Sequence, residues 1–329
     1  MSKKIRFGMM GAGFIANLNG GTLLAQEAVE LVAIANPTVS KAERLRDNLG
    51  VSCALYGSYD DMLANEQLDA VMINLPHHLH KDAFIKSAEH GLDIIIEKAL
   101  ANTYSECLDM IEAANLNGVR ATVCHTQRYN AVFQEAAGFI AGHDLGRLLS
   151  VHDNIHMHYF WDGRSPWQLS NELSGGGIAL NYGVHQLDRV HFFLNQKTVE
   201  LHAKYLAEKP GYSVPSSYAM MGIGEHGTAY TINCTGYSGP RINDMLLVFE
   251  NGILHCVLCD NGEQKYGLWF GDNASGEFKA QPFTLSTDDS QMYHRQFKAA
   301  VDYLSGETDE APIPLSWAAE MVRLVEIGF

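Results

Sequence analysis

The stretch Ile5-Arg6-Phe7-Gly8-Met9-Met10-Gly11-Ala12-Gly13-Phe14-Ile15-Ala16 decides the fold of this chain. Its first half reads as a short buried strand, and the glycines stop that strand and open an apolar-periodic helix at Phe14. Gly11 permits a tight turn, Gly13 lets a pyrophosphate approach the backbone, and Ala16 keeps the helix close on the sheet. The first-turn N–H groups, those of Phe14 and Ile15 among them, and the positive end of the helix dipole suit an anionic ligand. A lone Gly-x-Gly-x-x-Ala is a weak signal, equally readable as a plain strand–helix turn. Here a second strand, Val29 to Ala35, follows at the spacing of a βαβ unit, so a Rossmann-type domain that binds a dinucleotide is expected.

Outward from this unit the alternation continues. Ser40-Lys41-Ala42-Glu43 reads as a capping box that starts the next helix, Ala70 to Asn74 as a strand that Pro76 ends, and Asp82 to Glu89 as a helix closed by Gly91. Asp93 to Ile96 is a further strand, Thr103 with Glu106 a second capping box, Gly118 a helix stop, and Arg120 to Cys124 the last strand. Strands alternating with helices predict an α/β fold, a doubly wound parallel sheet over residues 1–125.

Past His125 the pattern changes. A helix near Ala131 to Ile140 precedes a long alternating strand, Leu148 to Tyr159, and Gly175-Gly176-Gly177 leads into a helix through Leu194. The segments Leu201 to Tyr205, Ala229 to Cys234, Met245 to Phe249 and Ile253 to Leu258 follow with no helix between them, before a final helix from near Ser316. Residues 126–329 are therefore expected to form a second, α+β domain with a mostly antiparallel sheet, for substrate binding and oligomerisation.

A net charge of -15 argues against nucleic acid or an anionic membrane as partner, because both are held by clustered Lys and Arg. The apolar run after Met1-Ser2-Lys3-Lys4 is too short for a signal peptide, and no stretch approaches a membrane span. The six cysteines are scattered, and a cytoplasmic home is expected. Cys256 and Cys259 have the spacing of a redox or zinc pair, but with no second pair they read as ordinary strand cysteines.

After the second strand an acidic residue would hold the adenosine ribose and favour NAD. Asn36 stands there instead, and Thr38, Ser40 and Lys41 can donate to a 2′-phosphate. This favours NADP, with NAD as the alternative; Lys41 also reads as a solvated residue of the helix's first turn.

Three further motifs fall in order: Asn74-Leu75-Pro76-His77-x-x-His80, then Glu97-Lys98-Ala99, then Gly175-Gly176-Gly177 before Asn181-x-x-x-His185-x-x-Asp188. With the glycine turn they resemble the glucose–fructose oxidoreductase, inositol dehydrogenase and rhizopine-catabolism (Gfo/Idh/MocA) family over nearly the whole chain. The resemblance implies a Rossmann domain followed by a domain with a large open sheet, through which members form homodimers or homotetramers. It also implies hydride transfer between NAD(P) and a sugar, polyol or related compound. By position Lys98 matches the family's catalytic lysine and His185 its catalytic histidine. Asn74, Pro76, His77 and Glu97 match positions lining the nicotinamide side of the cofactor. The family usually has proline at Ala99 and aspartate at Asn181. A non-proline cis bond costs about 3 kcal/mol, so a trans Lys98–Ala99 bond with Lys98 displaced is expected.

Hydride loss from an alcohol needs a base for the hydroxyl proton, a task suited to His185, and Lys98 can stabilise alkoxide charge. Asn181, His185 and Asp188, at i, i+4 and i+7, share one helix face. Asn181 can accept a bond from the histidine but brings no charge, and Asp188 reads as a structural ion-pair member. His152, Asn154, His156 and His158 lie on one face of the alternating strand; this reads as a polar face, His158 near substrate, and no metal site is expected. Trp161, Arg164 and Trp167 suit either a sugar ring or packing, and Arg128 can reach the same cleft. Two other functions fit the motifs: a cofactor-retaining glycosidase or lyase, and a non-catalytic NAD(P)- and sugar-binding regulatory protein.

Overall fold

The computed structural model describes residues 4–206, 209–260, 265–288 and 290–329. The chain divides into two compact units, Met1–Thr126 with Met292–Glu320, and Gln127–Gln291 with Met321–Phe329.

In the first unit six strands, β1 (Ile5–Met10), β2 (Val29–Ala35), β3 (Ala54–Tyr56), β4 (Ala70–Ile73), β5 (Asp93–Glu97) and β6 (Ala121–Cys124), form one parallel sheet in the order β3-β2-β1-β4-β5-β6. This is the doubly wound Rossmann order, with β1 at the centre, where Gly11 leaves the sheet and the strand order reverses. The helices Phe14–Leu24, Val39–Leu49, Tyr59–Asn65, His80–Glu89 and Tyr104–Asn117 connect the strands. The capping box at Thr103 and Glu106 is present, and Gly118 ends that helix in the left-handed conformation. The box expected at Ser40 is not: the helix starts at Val39 after Thr38, whose side chain makes no capping bond.

A helix absent from the sequence reading, Ser290–Leu304, buries Phe297, Ala300, Val301 and Leu304 against Phe7, Leu31 and their neighbours in the Rossmann core. The segment Met292–Glu320 thus belongs to the first unit, although it falls within the range 126–329 assigned from sequence to the second. Its apolar residues recur at helical spacing, but that spacing does not say which sheet they cover.

The second unit holds eight strands: β7 (Leu148–His156), β8 (Thr198–Leu206), β9 (Ser217–Gly224), β10 (Ala229–Thr235), β11 (Ile242–Phe249), β12 (Gly252–Val257), β13 (Gly267–Asp272) and β14 (Phe278–Ala280). They order as β14-β13-β12-β11-β7-β10-β9-β8, antiparallel except for the central β7–β10 pair. The helix Ile178–Leu194 covers one face of β7, β10 and β9. There Arg189 pairs with Asp153 at 2.5 Å, both fully buried, and Gln186 and Tyr218 extend the network. A buried ion pair needs such additional partners, since burial strips both charges of water. The other face stays open and carries Ser150, His152, Asn154 and His156 of β7.

Candidate active site

At the head of the Rossmann sheet Gly11 has φ +94°, and a Cβ there would lie 2.6 Å from the Asn74 carbonyl oxygen. Both facts require glycine. Gly13 differs: its φ is -82°, and a Cβ would meet nothing within 4 Å. The protein itself does not demand glycine at 13, whereas a ligand lying against the backbone would. The helix Phe14–Leu24 begins there with no side-chain cap and no acidic residue in its first turn. Its first N–H groups and dipole therefore face outward, beside an exposed Phe14, as an anion site needs.

Asn36 is committed to this turn. Its Oδ1 accepts from the Ala12 N–H at 3.1 Å and its Nδ2 donates to the Thr38 carbonyl at 2.9 Å. Thr38, Ser40 and Lys41 are exposed around the start of the next helix.

Behind the turn lies a buried polar group that the sequence reading missed in part. The Asn19 Nδ2 donates to Asn74 Oδ1 and to Glu97 Oε1, each at 2.8 Å. Glu97 Oε2 accepts from the Lys98 N–H at 3.2 Å. Burial raises the Glu97 carboxyl above its ordinary value, while nearby Lys98 and these hydrogen bonds oppose the shift. Buried Asn74 Nδ2 and Asn19 Oδ1 have no hydrogen-bond partner among the described residues. These atoms and the open backbone at Gly13 fit a dinucleotide. The signal for Asn19 was its place three residues after Ala16, a polar side chain on the buried helix face.

The Lys98–Ala99 bond is cis, against the expected trans form. The histidines of the preceding motif enclose it. The Ala99 N–H donates to His77 Nε2 at 3.3 Å, and the Ala99 carbonyl lies 2.9 Å from His80 Nδ1. The tertiary surroundings thus set this peptide where local preference alone pointed the other way. His80 also meets the Leu75 carbonyl at 2.8 Å through Nε2, and burial lowers its pKa to about 4. Pro76 precedes the short helical turn His77–Leu79, and Lys98 is half-buried.

In the second unit Gly177 has φ +55°, and a Cβ there would meet Val214 at 2.4 Å. It receives the chain into the helix that carries Asn181, His185 and Asp188, all buried. Asn181 hydrogen-bonds the Tyr159 hydroxyl, whose pKa burial raises to about 12. The His185 ring makes an edge contact with Tyr182, 6.2 Å between centroids. Asp188 pairs with Arg128, a residue expected at substrate, so that guanidinium has a partner within the protein. Arg164 stacks on Tyr159 at 3.8 Å and bonds its carbonyl, which places it in the packing of its own loop. Trp167 is half-buried in the turn Pro166–Leu169.

His158 lies two residues beyond the end of β7 and is exposed. His152 meets Ser150 and Thr231 through its two ring nitrogens, and no cluster suited to a metal occurs among the described residues. The cysteines form no disulfide among the described residues, and Cys256 is buried in β12. No helix among the described residues is long and apolar enough to cross a membrane.

Two family models match the chain. One, described as an oxidoreductase family with an NAD-binding Rossmann fold, covers residues 5–125. The other, described as a GFO/IDH/MocA C-terminal domain, covers residues 133–255. The chain is 27% identical over 195 residues to 2,7-anhydro-N-acetylneuraminate hydratase of Mediterraneibacter gnavus, 58% of this chain and 50% of that protein. It is 29% identical over 188 residues to D-xylose 1-dehydrogenase (NADP(+)) 2 of Haloferax volcanii, 57% of each. The chain spans about half the length of the curated relatives it matches. Among solved structures, levoglucosan dehydrogenase in complex with NADH superposes with a TM-score of 0.86 at 16% identity, over 99% of this chain and 96% of that one.

Proposed function

The chain belongs to the Gfo/Idh/MocA oxidoreductase family, and from that premise we propose that it transfers a hydride between a nicotinamide dinucleotide and a sugar or polyol. The observation that carries the reading is the open, uncapped helix start at Gly13, set against the buried Asn19–Asn74–Glu97 group. When bound, the nicotinamide supplies the hydride acceptor or donor. The first-turn N–H groups of Phe14 and Ile15 hold the pyrophosphate, while Asn74, Pro76, His77 and Glu97 line the nicotinamide side. Lys98 stabilises oxygen charge, His185 takes or returns the hydroxyl proton, and Asn181 orients that machinery.

NADP is the favoured cofactor. Asn36 spends its side chain on the turn and adds no negative charge, and Thr38, Ser40 and Lys41 are free of the core at a helix start without acidic residues. The open face of the eight-stranded sheet, with Met221 and Phe278 exposed, is the surface for a homodimer or homotetramer. The scattered placing of the six cysteines accords with a cytoplasmic home.

A second reading, a cofactor-retaining lyase or glycosidase, is favoured by the match to a protein named as a hydratase. The test is a fluorescence titration with NADH and NADPH, then a sugar and polyol screen with the preferred one. Tighter NADPH binding and net nicotinamide turnover are expected. Product without net change in NAD(P)H supports the second reading, and binding without turnover across the panel supports a regulatory role. Failure to bind either nucleotide overturns all three.

A further inference from the structure

Asn19 is fully buried on the helix that follows the glycine turn. The nitrogen end of the Asn19 amide faces Glu97 and donates to its Oε1. That nitrogen has two protons, and the second goes to Asn74. The Asn74 atom facing Asn19 must then be the oxygen, which leaves the Asn74 nitrogen turned away as a donor. Asn74 itself abuts the turn, its N–H donating to the Met10 carbonyl at 2.8 Å. Its Nδ2 is buried and without a partner among the described residues, a condition that native structures seldom leave without a purpose.

We propose that Asn19 is a positioning residue that carries the acceptor character of the Glu97 carboxylate to Asn74, so that the Asn74 nitrogen donates to an acceptor oxygen of the bound nicotinamide dinucleotide. The proposal rests on the dinucleotide reading above. Asn19 acts through Asn74 and does not itself act on the substrate.

The test is a double-mutant cycle on nucleotide affinity, read by NADH and NADPH fluorescence titration with thermal midpoints alongside. Asn19→Leu and Asn74→Ala should each weaken binding of the preferred nucleotide roughly tenfold or more, as loss of a buried donor does. The double variant should bind about as weakly as Asn74→Ala alone. If Asn19→Leu fails to fold, Asn19→Asp replaces it in the cycle, because it keeps the shape but cannot donate twice. A folded Asn19 variant that binds like the wild type overturns the proposal. So do losses that multiply in the double variant, the pattern of a merely structural role. Wild-type protein that binds neither nucleotide instead overturns the dinucleotide reading, and this proposal with it.

Discussion

The guanidinium of Arg128 engages both carboxylate oxygens of Asp188, with Nε 3.3 Å from Oδ2 and Nη2 against Oδ1. Asp188 is fully buried and the Arg128 side chain 14% exposed. The pair fastens the helix Ile178–Leu194 to the segment that leads into the second unit. Arg128→Ala is expected to leave a buried carboxylate without its counter-charge and to lower stability by about 3 kcal/mol. Urea denaturation checks this; an unchanged midpoint together with weakened sugar binding would restore Arg128 to the substrate.

The two glycines of the turn should respond in opposite ways. Gly11→Ala forces a side chain into a positive-φ position against the Asn74 carbonyl, and a loss of about 2 kcal/mol or more is expected. Gly13→Ala meets nothing, so its stability should stay within about 0.5 kcal/mol of wild type while nucleotide affinity falls. Equal thermal midpoints for the two variants, or full affinity in Gly13→Ala, would contradict this assignment.

His80 should impose an acid sensitivity. Its pKa drops from 6.5 to about 4 on burial, so above pH 6.5 the ring is neutral folded and unfolded alike. As pH falls from 6.5 to 4 the unfolded chain takes up the proton and the folded chain does not, and stability declines by about 3 kcal/mol before levelling. The difference between wild type and His80→Gln, followed by denaturation across that window, should show this slope. Parallel curves for the two proteins would rule the contribution out.

Asn181→Asp places a carboxylate one helical turn before His185 and beside the Tyr159 hydroxyl. The added negative charge favours the imidazolium, and the apparent pKa governing turnover is expected to rise by about one unit. The pH–rate profile of the variant is the measurement, and an unchanged profile in an active enzyme sinks the idea.

Much of this was legible in the chain because it is local. A strand, a glycine turn and a helix within twelve residues announce the Rossmann unit, since each choice depends on neighbours a few positions away. The box at Thr103 and Glu106 formed as read, whereas that at Ser40 lost to a helix start two residues earlier, with Thr38 as the N-cap. Motif order proposes Lys98 and His185 as the reacting pair, but it could not tell that Arg128 and Arg164 already have partners inside the protein.

What the sequence by itself determined is the strand–helix alternation and the dinucleotide-binding turn, because backbone propensity and glycine sterics act over a few residues. Tertiary structure alone decided that Ser290–Leu304 returns to the Rossmann core, that His77 and His80 enclose the Lys98–Ala99 peptide, and that Asn19 joins Asn74 to Glu97. These residues lie far apart in the chain. Apolar burial sets the packing of that helix, and hydrogen bonding between buried polar groups sets the other two pairings, conditions that exist only once the sheet and helices have packed.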